Sequence, residues 1–265
     1  MQATMSARHV IAVASGKGGV GKSSIALNAA TILAQQGASV GLVDCDVYGP
    51  DIPAMVGVTR RVMTKHWTLS WKGGFGATRI EPIERYGVHI VSVGLLFGEE
   101  QALTWPANMI GVLVNQLLWS TVWPQLDYLF VDMPPGTADV TQMVFQAIPK
   151  AKAVIVVTPQ EVAHLDARKL LTLLSSRGTE VLGGIENMAG FRCPCCQTVT
   201  ELFAPVDPQR SIWSSGVDRL GAIPLDPAPP GDDPGVPVVA ARPESAFAVA
   251  LRTVVADLRG RVGEA

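Results

Sequence analysis

The sequence lacks the features that mark membrane, secreted and nucleic-acid-binding proteins. No apolar run approaches the ~18 to 20 residues needed to span a bilayer, and residues 1–8 lack the apolar centre of a signal peptide. The formal net charge is only -2 and no block of Lys or Arg occurs, so we expect no nucleic-acid partner. We therefore expect a cytoplasmic protein with no stable membrane association.

Cysteine is also scarce, with four in 265 residues. Three of them are crowded into Cys193, Cys195 and Cys196, whereas Cys45 stands apart. This distribution suits metal binding or redox chemistry better than a secreted disulfide framework. Internal repeats and low-complexity tracts are absent too.

Short apolar runs rich in Val and Ile alternate with longer segments of helical period, a pattern typical of parallel strands joined by crossover helices. Because helices can bury both faces of such a sheet, a mean hydropathy of +0.28 needs no membrane. We expect one α/β domain over 1–265, with the three-layer P-loop NTPase fold and a mostly parallel sheet flanked by helices. Seven strands are predicted, at 9–14, 39–44, 89–93, 127–132, 153–158, 181–185 and 220–223.

The segments between these strands are less regular. A helix is predicted over 22–35, with Gly37 placed to end it, and a terminal helix over about 244–259. Residues 56–84 indicate a hairpin-like insertion, 191–216 a cysteine-bearing loop segment, and the proline-rich stretch 224–243 a long surface connection.

One strand–turn–helix junction carries a phosphate-binding motif. Residues 16–23 read G-K-G-G-V-G-K-S and fit the pattern G-x-x-x-x-G-K-S/T. Glycines let such a loop turn its N–H groups toward phosphate oxygens, and the helix N-terminus adds a favourable dipole. A glycine-rich turn that binds nothing is the alternative. We expect ATP to contact Gly16, Lys17, Gly18, Gly19, Val20, Gly21, Lys22, Ser23 and Ser24, with Lys22 at the β/γ-phosphates and Ser23 on Mg²⁺.

Lys17 makes this loop unusual. The order K-G-G-V-G-K-S resembles the deviant Walker A signature of the MinD/ParA/nitrogenase iron-protein class. The resemblance implies that Lys17 reaches across a homodimer to the partner's nucleotide. Two basic loops repel unless a polyanion lies between them, so ATP should favour the dimer. A phosphate contact within its own chain is the alternative for Lys17.

Two acidic motifs that follow predicted strands extend the resemblance. The run D-C-D-V-Y-G-P-D-I-P at 44–53 resembles a box of the Mrp/NBP35 branch, and V-D-M-P-P-G-T at 131–137 resembles its Walker B and switch II segment. The resemblance implies that Asp46 positions or activates the attacking water and that Asp44 supports the Mg²⁺ shell. It further implies that Asp132 holds Mg²⁺ through a water molecule and that Gly136 offers its N–H to the γ-phosphate.

The same residues have ordinary structural uses. Acids beside strands and helices commonly cap helices or form turns, which is the interpretation we prefer for Asp51 and Asp139. The sequence does not separate the roles of Asp44 and Asp46. At Asn187 the resemblance implies an adenine contact, since an amide can both donate and accept; a turn-forming asparagine is the alternative.

The spacing Cys193-x-x-Cys196 lets two thiolates point at one metal centre. An iron–sulfur cluster or tetrahedral zinc needs four ligands, so a single chain cannot close the site. A symmetric dimer supplies four thiolates across its two-fold axis. Half of a zinc site, a redox pair or a coincidental spacing are the alternatives. Cys195 is an added thiol that could substitute as a ligand, but we expect it to be a spectator.

The order of these motifs, which cover most of the chain, resembles Mrp/NBP35 iron–sulfur carriers. The resemblance implies an ATPase with Lys17, Lys22 and Asp46 as catalytic residues, which carries a cluster, expected to be 4Fe–4S, between two subunits and delivers it to apo iron–sulfur proteins. A MinD/ParA-like positioning ATPase without metal transfer and a dimer with structural zinc are the alternatives. The chain departs from the family at Trp105-Pro106, where W-R-G-P is common, and in lacking glycine over 197–213.

Overall fold

The computed structural model describes residues 7–58, 80–95, 107–137, 139–193, 195–196, 198–227, 229 and 231–263. Most of the predicted insertion at 56–84 and the departure at Trp105-Pro106 lie outside these ranges.

The described strands form one nine-stranded sheet. They are β1 Ala7–Ala14, β2 Val40–Asp44, β3 Ile83–Arg85, β4 Val88–Ser92, β5 Leu126–Asp132, β6 Lys152–Val157, β7 Val181–Arg192, β8 Val199–Thr200 and β9 Arg219–Leu225. The order is β3-β4-β2-β5-β1-β6-β7-β8, and β9 pairs with β7. All pairings are parallel except β3 with β4 and β7 with β8. The carboxyl ends of the central strands therefore meet at one edge, where parallel sheets bind ligands.

Helices cover this sheet. They are α1 Lys22–Gln35, α2 Ile52–Met55, α3 Ala107–Trp119, α4 Asp139–Ala147, α5 Glu161–Ser176, α6 Val238–Ala241 and α7 Ala246–Val262. Helix α1 packs against α7, and α3 against α4. Every residue of β2 is buried, so both faces of the sheet are covered, as expected for parallel strands rich in Val and Leu.

The apolar stripe of the terminal helix belongs to the core. Its members are buried: Phe247, Leu251, Val254, Val255 and Leu258. Among the described residues, no helix combines the length and the apolar character that crossing a membrane requires.

The seven predicted strands all occur, and α1 has the predicted bounds. The structure differs at β7, which was predicted to end at Ile185 but continues to Arg192 and turns back into β8. The cysteines thus lie on a hairpin where a loop over 191–216 was predicted. The added part of β7 contains polar residues and glycine, so it lacks the apolar pattern by which the sequence predicts a buried strand. Its pairing with β9 is also irregular between Asn187 and Phe191.

Candidate functional site

The phosphate loop joins β1 to α1, and two of its glycines are required by close neighbours. Gly21 has φ +86°, and a Cβ there would lie 2.2 Å from Asn187 Nδ2. At Gly16 a Cβ would lie 2.2 Å from the carbonyl carbon of Asp166 in α5. Backbone cannot yield as a flexible side chain can, so α5 fixes the start of the loop at Gly16. At Gly21 the neighbour is the Asn187 side chain, and the positive φ is a second reason for glycine there.

A cavity of about 270 Å³ opens beside this loop. Eight of the predicted residues line it: Lys17, Gly18, Gly19, Val20, Gly21, Lys22, Ser23 and Ser24. Asp46 lines it as well, together with four residues that sequence reasoning did not select, Ser15, Met55, Pro135 and Met188. Met188 has φ +57°, a conformation that costs of order 1–3 kcal/mol in non-glycine residues and is concentrated at functional sites.

Asp51 also lines the cavity, which extends the prediction made for it. It occupies the N-cap position of α2 as predicted, but its side chain makes no capping hydrogen bond. The sequence around Asp51 gave no sign that this residue lines the cavity.

Lys22 is the centre of a buried group of charges. Its Nζ lies 2.6 Å from Asp132 Oδ1 and 3.6 Å from Asp46 Oδ2. Burial lowers the pKa of Lys22, but Asp132, Asp46 and Asp44 outweigh burial, so its pKa lies above the ordinary value. Burial raises the pKa of Asp132 and of Asp46, and Lys22 opposes both shifts. Lys22 is therefore the cation that makes these buried carboxylates tolerable.

The structure separates Asp44 from Asp46, which the sequence did not. Asp44 is fully buried and accepts from Ser92 Oγ at 2.7 Å and from the N–H of Asp46 at 3.1 Å. Burial, and then the neighbouring Asp132, raise the pKa of Asp44 well above its ordinary value. Asp46 instead reaches the cavity, so Asp44 holds the backbone that presents Asp46.

Of the three residues predicted to support Mg²⁺, Ser23 and Asp132 fit that ion, whereas Asp44 does not, because both of its carboxylate oxygens already accept hydrogen bonds from Asp46 and Ser92. Asp132 Oδ2 is buried and has no hydrogen-bond partner among the described residues, while its Oδ1 pairs with Lys22. The Ser23 hydroxyl is close enough to Asp132 to lower the pKa of that carboxyl. A hydroxyl and a carboxylate oxygen are ligands that Mg²⁺ prefers.

Two predicted nucleotide contacts are engaged with protein atoms in the structure. The N–H of Gly136 donates to the Ser15 carbonyl at 2.9 Å, so a γ-phosphate contact would require this bond to be exchanged. The amide of Asn187 donates to the Val20 carbonyl at 2.9 Å. Asn187 therefore lies against the phosphate loop, with its amide nitrogen supporting the loop backbone.

Lys17 donates to Gln160 Oε1 of its own chain at 2.7 Å. Gln160 ends the loop after β6 and immediately precedes α5. Sequence analysis gave Gln160 no role. If the Lys17 side chain binds another group, it must first break this hydrogen bond to Gln160.

Cys193 and Cys196 lie on the β7–β8 hairpin, which the Cys193 N–H closes by donating to the Thr198 carbonyl at 2.9 Å. Cys196 is exposed, and its thiol contacts Thr198 Oγ1 at 3.3 Å. Hydrogen bonds from Thr198, and then from Cys193, lower the pKa of Cys196 to about 7. The two thiols of the C-x-x-C spacing thus lie together, while Cys195 is exposed beside them.

Taken alone, the described residues do not assemble three or more His, Cys, Asp or Glu side chains into a group that could hold a metal ion. Cys45 is buried, and burial followed by the charge of Asp44 raises the pKa of its thiol well above the ordinary value. The fourth cysteine is therefore not part of the hairpin site.

The family model described as "ParA: NUBPL iron-transfer P-loop NTPase" matches residues 6–259. The iron-sulfur cluster carrier protein of Synechocystis sp. is 40% identical over 260 residues, which cover 97% of this chain and 72% of the relative. The Escherichia coli protein of the same name is 39% identical over 246 residues, covering 92% and 64%. The mouse iron-sulfur cluster transfer protein NUBPL is 39% identical over 258 residues, covering 96% and 78%. The chain thus spans 64–78% of the length of these relatives.

Solved structures agree with the fold. The nucleotide-binding protein of Archaeoglobus fulgidus, in complex with ADP, superposes with a TM-score of 0.67 and 34% identity over 83% of each chain. The cell division ATPase MinD of Pyrococcus furiosus superposes with a TM-score of 0.69 and 22% identity, covering 96% of this chain and 99% of that one, which shows the fold alone. The predicted P-loop NTPase fold is confirmed.

Proposed function

The chain belongs to the NUBPL iron-transfer P-loop NTPase family, and from this premise we propose that it is a cytoplasmic ATP-hydrolysing carrier of iron–sulfur clusters. Two chains would pair around ATP, hold one cluster between their hairpins and pass it to apo-proteins. One observation carries the proposal: the phosphate loop and the hairpin project from the same edge of the sheet. Asn187 of β7 contacts the loop, and Cys193 lies six residues farther along the chain.

The nucleotide half of the proposal uses residues already in place. Lys22 would exchange its Asp132 partner for β- and γ-phosphate oxygens, to which its charge is suited. Asp46, which lines the cavity and has a raised pKa, would orient the attacking water and accept its proton. Mg²⁺, held by Ser23 and Asp132, would supply charge neutralisation at the phosphates when bound. Asp44 would act only by positioning Asp46.

The metal half of the proposal requires a second chain. The C-x-x-C spacing provides two thiols per chain, and a cluster normally takes four thiolates. Two hairpins facing each other across a two-fold axis supply that number. A thiol with a pKa of about 7 is largely ready to bind metal at neutral pH, because the thiolate is the ligand. An exposed, shared site favours transfer over retention.

Anaerobic reconstitution with iron and sulfide tests the proposal. The wild-type chain should take up iron and sulfide, show visible absorption and run as a dimer. Cys193→Ser and Cys196→Ser should each lose this absorption, whereas Cys195→Ser should keep it as the matched control. Loading that survives the double serine variant would overturn the site, and zinc found without iron would favour the structural-zinc alternative.

Transfer is tested separately from loading. The loaded protein should pass iron to an apo iron–sulfur acceptor, and Lys22→Ala should change the rate or extent because it cannot cycle ATP. Equal transfer by Lys22→Ala and wild type would contradict the coupling of ATP to carriage.

A further inference from the structure

A second cavity, of about 660 Å³, lies between α5 and the strands β7 and β9. It is larger than the cavity beside the phosphate loop, and neither ATP binding nor the cysteine site uses it. Its remaining wall comes from residues 201–214, which follow the cysteine hairpin. Its volume falls within the range of about 300–1,000 Å³ that is usual for small-molecule sites.

His164 of α5 is one of the residues that line this cavity, and it has a buried nitrogen without a hydrogen-bond partner in the described part of the chain. The side chain is fully buried, and its Nε2 has no hydrogen-bond partner among the described residues. Its Nδ1 accepts from the N–H of Ile212 at 3.3 Å. An N–H cannot point at a protonated nitrogen, so the ring carries its hydrogen on Nε2. Burial, and then Arg219, lower the pKa of His164, which keeps the ring neutral.

Glu186 of β7 places an acceptor next to this donor. Its Oε1 lies 3.9 Å from His164 Nε2, beyond hydrogen-bond reach. Its Oε2 pairs with Arg219, whose guanidinium lies over the Trp213 ring, 5.6 Å from the centroid. Glu186 is therefore held by Arg219 while Oε1 stays near His164.

The rest of the wall is mainly apolar. Trp213 packs directly on β7, because a Cβ at Gly184 would lie 2.6 Å from the indole ring. The other apolar members include Pro159, Leu202, Phe203, Pro205 and Val206. Ligand sites are usually lined by apolar side chains together with a few converging polar groups.

We propose that this cavity binds a small molecule with an amide group on an aromatic or apolar body. The amide oxygen would accept from His164 Nε2–H, and the amide N–H would donate to Glu186 Oε1. The oxygen and nitrogen of an amide are about 2.3 Å apart, which lets one group bridge two protein atoms that do not reach each other. A carboxylate offers no donor and is repelled by Glu186. A metal ion at Nε2 is disfavoured because that nitrogen carries a hydrogen.

Benzamide is the probe, and benzoate and acetophenone are matched controls that lack the amide N–H. Ligand-observed NMR titrations of the full chain should give binding of benzamide at least about tenfold stronger than that of either control, a difference of about 1.4 kcal/mol. Glu186→Ala should remove this preference by removing the acceptor. Ala222→Phe should abolish binding, because Ala222 is an exposed residue of the cavity wall and a larger side chain there fills the space.

Three results would overturn the proposal. They are no binding of benzamide to the wild-type chain, binding of all three probes within twofold of one another, and benzamide binding that Ala222→Phe leaves unchanged. His164→Phe tests the donor directly. The other two variants keep the test decisive if His164→Phe fails to fold, since both lie at less buried positions.

Discussion

The phosphate loop and the cysteine hairpin project from the same edge of the sheet and have opposite construction. Around Lys22 the charged side chains are buried and paired within one chain. On the hairpin, Cys196 is exposed and its thiol contacts Thr198 Oγ1. The first site carries its own counter-charges, whereas the second offers two thiols where a cluster needs four. Under the proposed function, one chain would suffice to bind phosphate, whereas a second chain would be needed to bind the cluster.

Two cysteines of the same chain show the same contrast. Burial raises the pKa of Cys45 well above its ordinary value, while hydrogen bonds from Thr198 lower that of Cys196 to about 7. The environment, and not the residue type, decides which thiol is available for chemistry.

Removing the cation from the buried site should have the largest effect. Lys22→Ala leaves Asp132 and Asp46 as buried carboxylates without their partner, so we expect a loss of about 3–5 kcal/mol in the free energy of unfolding, together with loss of ATP binding. Urea unfolding and nucleotide titration measure the two effects. Lys169→Ala is the control, because Lys169 is 71% exposed and forms a surface ion pair with Asp166; its effect should stay within about 0.5 kcal/mol.

The pH dependence of this loss has a definite sign. Burial raises the folded-state pKa of Asp132 and Asp46 above the ordinary 3.8, and removing Lys22 takes away the opposing charge. A carboxyl with a raised folded pKa binds more protons when folded, so stability falls as pH rises above about 3.8. The deficit of Lys22→Ala should therefore be larger at pH 8 than at pH 5. A deficit that grows toward low pH would contradict this assignment.

Glycines of the same loop should differ in tolerance. Gly16→Ala forces a Cβ into the backbone of α5, so we expect a loss of about 1–3 kcal/mol in stability. Gly18→Ala meets nothing within 4 Å and should leave the melting temperature nearly unchanged. Equal melting temperatures for the two variants would show that α5 does not constrain the loop.

Alkylation should report the contrast between the thiols. Between pH 6 and pH 8 a thiol with a pKa of about 7 becomes about tenfold more ionised, so Cys196 should react about tenfold faster with iodoacetamide. Cys45 should stay unmodified in the folded protein because it is buried with a raised pKa. Mass spectrometry of timed digests measures both. If Cys45 were labelled as fast as Cys196, the two thiols would not differ in reactivity as their environments predict.

The smallest effect concerns Gln160. Gln160→Glu should hold Lys17 more firmly in its own chain through an ion pair, and Gln160→Ala should release it. If Lys17 acts across the dimer, the glutamate variant should dimerise with ATP several-fold more weakly than the alanine variant, a difference of about 1 kcal/mol. Light scattering with ATP measures this, and Lys17→Ala should make both substitutions equivalent.

The strands of the sheet and the residues of the phosphate loop can be predicted from short sequence patterns. The Val- and Ile-rich runs predict the strands because parallel strands are buried on both faces, and the loop motif identifies the residues from Lys17 to Ser24 because its glycines are spaced for phosphate. Each of these patterns can be recognised from residues that are close together in the chain.

The rest depends on contacts between distant segments. The hydrogen bond from Lys17 to Gln160, the support of the Val20 carbonyl by Asn187 and the bond from Ser92 to Asp44 join residues 48 or more positions apart. The left-handed Met188 likewise has no sequence signal, since non-glycine residues rarely adopt that conformation. Sequence pattern therefore identifies the loop residues that line the cavity. It selects Asp44 and Asn187 as well, but not the contacts through which they support that loop and Asp46.

Native mass spectrometry of the anaerobically loaded protein tests the central claim most directly. If one chain provides only half of the metal site, every loaded species should contain two chains and one cluster, and each chain alone should carry no iron. A single chain that holds a complete cluster would contradict the account.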